Sequence, residues 1–246
     1  MKTSVQFHLA GQWLPAGCFV AALWLGGLPE AGAQGNSPVP IQARLMHLTP
    51  EQRQQMRLRH LAAPQLRVPL YAQPAFASSV NLLPRVPYVP QERDQGWCGD
   101  CWQWAGTGVM EVAHDVQDGI HNRLSVQFIN SCQQQVSCCD GGWLEYVAYF
   151  YSKTRNFAIP WTNVNAGWSS GGGFCTAAPC GTIGTNFNYP IERISSISVP
   201  TWGVGQAQAI NNIKNVLSQN KAVFFAFWLP NSTGWPAFDT FWSTQP

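Results

Sequence analysis

The sequence predicts an α+β fold. Three observations lead there: several segments with helical spacing of apolar residues, one continuous apolar run at 222–229 that reads as a strand, and a set of cysteines suited to cross-linking. The chain has 246 residues, of which 46% are hydrophobic and only 11% charged. Twelve Trp and thirteen Phe need a core, which argues against disorder. The few Lys and Arg are not clustered as a nucleic-acid surface requires.

Each element has a local cause. Lys2, an apolar run from Cys18 to Leu28, and the small residues Ala31-Gly32-Ala33 read as an export signal over 1–33, cut before Gln34. The run is too short to span a bilayer. Residues 34–79 read as a pro-segment: Thr49 is an N-cap with Pro50 at the first helical position, and a polar, Arg-rich helix reaches about Leu61. Pro64, Pro69 and Pro74 make 62–79 an extended linker. This region carries five Arg against one Glu, whereas 80–246 carries eight basic against ten acidic residues, so the leader could dock on the body.

The body is expected at 80–246. Pro84, Pro87 and Pro90 keep 80–97 extended. Asp100 is the expected N-cap of a helix from Cys101 to about Gln117, ended by Asp118-Gly119. Gly106 and Gly108 lower helix propensity, by about 1 kcal/mol each, and imply close packing on that helix. Ser125 caps a short helix through Val126, Phe128 and Ile129. Leu144, Val147, Ala148 and Tyr151 mark a third helix, and Ile210, Ile213, Val216 and Leu217 a fourth. Residues 160–206, rich in Gly, Ser, Asn and Pro, read as loops. The strand at 222–229 needs partners that the following residues hardly supply.

The chemistry concentrates in Gln95-Gly96-Trp97-Cys98-Gly99-Asp100-Cys101-Trp102. A thiol at a helix N-terminus feels the positive end of the macrodipole and ionises more easily. An amide six residues upstream can donate to a developing oxyanion. Seven cysteines follow the signal: one reactive thiol and six for pairing in an oxidising compartment. The chain is therefore expected to be secreted or extracytoplasmic, with no membrane association after signal cleavage. No histidine follows His121.

Cys98-Gly99-Asp100-Cys101-Trp102 resembles the signature of papain and cathepsin-type cysteine peptidases. Leu124-Ser125-Val126-Gln127 through Ser131-Cys132, and Cys139-Asp140-Gly141-Gly142-Trp143, resemble further segments of that family in the same order. The resemblance implies a two-subdomain fold, with the helical left subdomain present and the β-barrel right subdomain incomplete. It implies Cys101 as nucleophile, with the Gln95 side chain and the Cys101 N–H as oxyanion hole. Gly99, Gly141 and Gly142 would line the substrate cleft, and Trp143 and Ala226 the specificity pocket. Cys98 would pair with Cys139, Cys132 with Cys175 or Cys180, and Cys138 with the other. The substrate would be a peptide or protein, bound by a monomer without metal, cofactor or nucleic acid.

The sequence departs from the family at Asp100, where Ser or Ala stands and where a carboxylate opposes thiolate formation. The family's catalytic His and Asn come from later residues than this chain includes. His114 lies thirteen residues along the same expected helix, about 20 Å from the thiol. The chain as given is therefore expected to be a cysteine peptidase with little turnover. The competing readings are a non-catalytic secreted protein that keeps the cleft, using Trp97, Trp102, Trp104, Trp143 and Trp161, a C-x-x-C thiol–disulfide oxidoreductase, and a zinc site at Cys98, Cys101, Cys138 and Cys139.

Overall fold

A computed structural model describes residues 3–12, 49–67, 79–87, 94–96, 98–139, 141–169, 178–227, 236–238 and 240. In chain order the elements are β1 (Thr3–Gln12), α1 (Pro50–Ala62), α2 (Cys101–Asp118), α3 (Val126–Cys132), α4 (Leu144–Tyr149), β2 (Phe157–Ala158), β3 (Tyr189–Ser198), α5 (Gln206–Leu217) and β4 (Val223–Phe227). The fold is a mixture of helices and one four-stranded open sheet.

The starts of α1 and α3 follow local chemistry, whereas α2, α4 and α5 begin without a side-chain cap. Thr49 accepts from the Gln52 N–H while the Gln52 side chain accepts from the Thr49 N–H, a complete capping box. Ser125 Oγ accepts from the Phe128 N–H at 3.0 Å. Asp100 stands at the expected N-cap of α2, but its side chain makes no capping hydrogen bond; its carbonyl accepts from the N–H groups of Gln103 and Trp104. Gly119 closes α2 in the left-handed region, at φ 66°.

The core gathers around α2. This helix packs against β1, α3, α4 and β4. Trp102, Phe128, Ile129, Leu144, Val147, Phe150, Tyr151 and Ile159 are all essentially inaccessible. The π-helical turn Phe150–Thr154 extends α4 and seats Phe150 edge-on to Phe128, centroids 5.3 Å apart. A second small cluster, Val199 and Val216 with Leu66, Ile213, Val223 and Phe225, fastens α5 to the sheet.

One expectation is corrected, and the partner missing for the 222–229 strand is supplied. The stretch read as loops holds β3, a ten-residue strand. Pro190 and the polar residues between Ile191 and Ser198 masked its alternation, yet Tyr189, Ile191, Ile194 and Ser198 are buried. The partner for β4 comes from the opposite end of the chain. Sheet order is β2-β3-β1-β4, so Thr3–Gln12, inside the expected export segment, is a central strand, parallel to both β3 and β4. Val5, Phe7 and Leu9 alternate with Ser4, Gln6 and His8, a strand pattern. Residues 13–33 lie outside the described set.

The two helical glycines differ. A Cβ at Gly106 would lie 2.8 Å from Val147 Cγ2, so α2 and α4 touch there through bare backbone. A Cβ at Gly108 would meet nothing within 4 Å, so the close packing expected at that position is absent. Gly108→Ala should therefore stabilise the fold by about 1 kcal/mol through helix propensity. Gly106→Ala should destabilise it by roughly 1–3 kcal/mol through overpacking, relieved in part by Val147→Ala. Chemical denaturation of the three variants measures both signs.

Candidate active site

The loop before α2 is pinned from two sides. Cys98 is bonded to Cys139, 41 residues away, and the Gly99 N–H donates to the Cys139 carbonyl at 3.1 Å. A Cβ on Gly99 would fall 2.6 Å from that same carbonyl oxygen, so only glycine allows the approach. Closing a loop of this length contributes about 4 kcal/mol in the chain-entropy account. The neighbouring turn is equally tight, since a Cβ on Gly142 would lie 2.5 Å from the Trp102 ring. Gly141 takes φ 87°, which favours glycine.

These contacts set Cys101 at the first position of α2. It is the one free cysteine among the described residues, and it is buried at 7% exposure. Its position gives the sulfur the partial positive charge of an eighteen-residue helix N-terminus. Gln95 is half-buried, and its Nε2 donates to the Cys98 carbonyl at 2.9 Å. A primary amide carries two N–H bonds. The bond to Cys98 holds the Gln95 side chain on the loop that leads to Cys101.

The other sulfurs are structural. Of the two partners left open for Cys132, the fold uses Cys180. Cys138 is also disulfide-bonded, while Cys175 lies outside the described residues. Cys98, Asp100 and Cys139 offer donor atoms within 4.8 Å of one another, but the disulfide removes both sulfurs as thiolate ligands. The same bridge takes Cys98 away from Cys101, so the C-x-x-C pair is not a redox couple here. Trp97 and Asp140 lie outside the described residues.

Trp143 is buried, with its ring 4.7 Å from Tyr146. Over it lies a residue that the motif search passed by. The Arg59 guanidinium, from the last turn of α1, stands 4.8 Å from the Trp143 ring centre and 5.3 Å from that of Tyr146. Its charge also opposes the effect of burial on Glu145, whose carboxyl is nonetheless pushed above the ordinary value by desolvation. The sequence signal was available: an arginine in the last turn of a polar helix, with no acid at i−4 or i+4 to hold it. Past α1, the Leu66 N–H donates to Ser198 and the Ser198 N–H to Pro64, both at 2.8 Å. Ala226, on β4, is half-buried against the main core.

Three imidazoles are placed with partners of their own. His114 is buried in α2, with Nε2 3.6 Å from Asp118 and its ring edge-on to Tyr189. His121 Nδ1 stands 3.5 Å from Asp115, and His60 contacts the Ser198 hydroxyl. At 1.5 Å per residue, His114 is about 20 Å along the helix from Cys101.

Residues 79–178 match the family described as papain family cysteine protease. This stretch is similar to the papain family of cysteine peptidases. It holds the pinned loop, the free thiol and the glycine turn together. Cysteine proteinase 5 of Dictyostelium discoideum is 41% identical over 64 residues, 26% of this chain and 18% of the relative. Oryzain gamma chain of Oryza sativa subsp. japonica is 28% identical over 145 residues, 56% of this chain and 34% of the relative. Cysteine proteinase 15A of Pisum sativum is 34% identical over 88 residues, 31% and 24% of the two chains. The chain thus spans about a third or less of the length of these curated relatives.

Burial depresses the His114 imidazole below its ordinary 6.5, outweighing the opposite pull of Asp118 and then Asp115. The folded chain therefore holds this proton less tightly than the unfolded chain does. The stability from His114 is complete above pH 6.5 and is lost as pH falls through the lower folded value. Burial lowers His60 in the same direction. His114→Gln should flatten the fall in melting temperature below pH 6.5. Scans of both proteins on either side of that pH measure the difference.

Proposed function

We propose that residues 80–246 form the nucleophile-bearing part of a cysteine peptidase. The papain-like helical subdomain is present, and β3 and β4 belong to a second subdomain. Cys101 attacks the scissile carbonyl and forms an acyl-thioester. The Gln95 amide and the Cys101 N–H stabilise the oxyanion. Gly99, Gly141 and Gly142 leave the cleft wall open to a peptide backbone, and Trp143 and Ala226 line the pocket for a side chain. The observation that carries this reading is the unpaired Cys101 at the head of α2, beside a bridged Cys98.

The thiol's activation requires a base. Among the described side chains, His60, His114 and His121 are each engaged elsewhere, and in this reading the chain as given turns over little. Its epoxide reactivity still reports the nucleophile. A thiol-directed epoxide should label the protein at Cys101 by peptide mapping, and Cys101→Ala should abolish that labelling. Unchanged labelling of the Ala variant would remove Cys101 from the role. Robust proteolysis by residues 34–246, lost on Cys101→Ala, would overturn the low turnover.

Residues 1–33 are the export signal in this reading, and 34–79 a pro-segment that covers the site. The stacking of Arg59 on Trp143 supports the second assignment, because it lays α1 over a proposed wall of the cleft. Arg59→Ala should raise the rate of epoxide labelling at Cys101 several-fold, with Arg57→Ala as the comparison on the same helix. Equal rates in both variants would remove the covering role from α1.

A further inference from the structure

The sheet poses a topological question that the peptidase reading does not answer. β3 and β4 are not hydrogen-bonded to each other; each is hydrogen-bonded to β1, which lies between them. Thr3 to Leu9 run in register with Ile191 to Ser198, and His8 to Gln12 with Val223 to Phe227. Neighbouring strands stand about 4.8 Å apart, so the gap between β3 and β4 has the width of one strand. Among the described residues β4 has no other strand neighbour.

The bonding groups make that gap selective for extended backbone. Every N–H and C=O that β3 and β4 turn toward each other needs a partner, and a missing one costs free energy inside a fold. Both faces of β4 already have apolar neighbours: Phe224 lies in the main core, and Val223 and Phe225 pack on the Val199–Val216 cluster. The N-terminal segment suits the gap by its pattern of Val5, Phe7 and Leu9 alternating with polar residues.

We propose that the gap between β3 and β4 is a strand-acceptor slot and that Thr3–Gln12 is its strand donor, held in cis. The N-terminal segment thereby holds β4 in the sheet. On the export reading proposed above, removal of 1–33 is the event that takes this strand away; its departure leaves β4 without a strand neighbour and frees the backbone of the strand that carries Ala226, whose register partner is Gly11. The state of the chain's first residues is then transmitted to β4, independently of any reaction at Cys101.

The test uses the full chain with a sequence-specific protease site placed between residues 12 and 34. Backbone hydrogen exchange is followed over 189–198 and 223–227 before and after the cut. The expected result is that the severed N-terminal piece co-elutes with the body at native pH and that 223–227 stays protected. Dissociation by mild denaturant and gel filtration should then speed exchange in 223–227 at least tenfold. A synthetic peptide of residues 1–12 should restore protection. In the uncut chain, Phe7→Pro should speed exchange in 223–227, whereas Phe7→Val should not. Loss of the piece with unchanged protection of 223–227 overturns the proposal, as does rapid exchange of 223–227 in the intact, folded chain. Should Phe7→Pro fail to fold, the cut chain alone decides between these results.

Discussion

The bridge between Cys98 and Cys139 is the constraint on which the candidate site depends. It ties the loop before α2 to a turn 41 residues later, and everything nearby is built to that short separation. Gly99 must lack a side chain because its backbone lies against the Cys139 carbonyl. Gly142 must lack one because the Trp102 indole lies against it. With the loop held this way, Cys101 has one place to go, the first turn of α2, and its sulfur stays unpaired. A C-x-x-C spacing is ambiguous between a redox couple and a nucleophile beside a structural bridge. The distant third cysteine resolves it.

The same helix links the thiol to the rest of the molecule. At its head it carries Cys101, in its middle it meets α4 through Gly106, and near its tail His114 packs on Tyr189 of β3. The core around Phe128, Phe150 and Tyr151 makes this a rigid support rather than a flexible arm. On the opposite side, α1 buries none of its own residues. It is held by Arg59 on two aromatic rings and by the pairing of Pro64–Leu66 with Ser198. Such a contact, charged and solvent-facing, is far weaker than the core beneath it.

The sheet makes a comparable point about the other end of the chain. Parallel neighbours for β4 have to come from a segment far away in sequence, because parallel pairing needs a long connection. Residues 3–12 meet that need. An N-terminal segment can be read as an address for export and also possess the alternation of a strand, since both readings use short apolar residues in a region poor in charge.

Local chemistry was enough for α1, α3, the end of α2, and the N-caps and the glycine stop that bound them, because those signals act within four residues. The free thiol and its glycine-rich surroundings were also legible, since their chemistry demands particular residue types at particular spacings. Four things were not. Asp100 holds the N-cap position expected of it, but its side chain makes no capping bond, because its fully buried position is set by the bridge and not by its neighbours in sequence. β3 was read as loop, because burial of alternate residues beside a proline shows only once strands flank it. Arg59 found its role only when α1 was laid on α4, a contact between segments some eighty residues apart. The central strand came from the first dozen residues, because the hydrogen bonds that β3 and β4 lack are satisfied by whichever extended segment can reach them, and no local pattern says which.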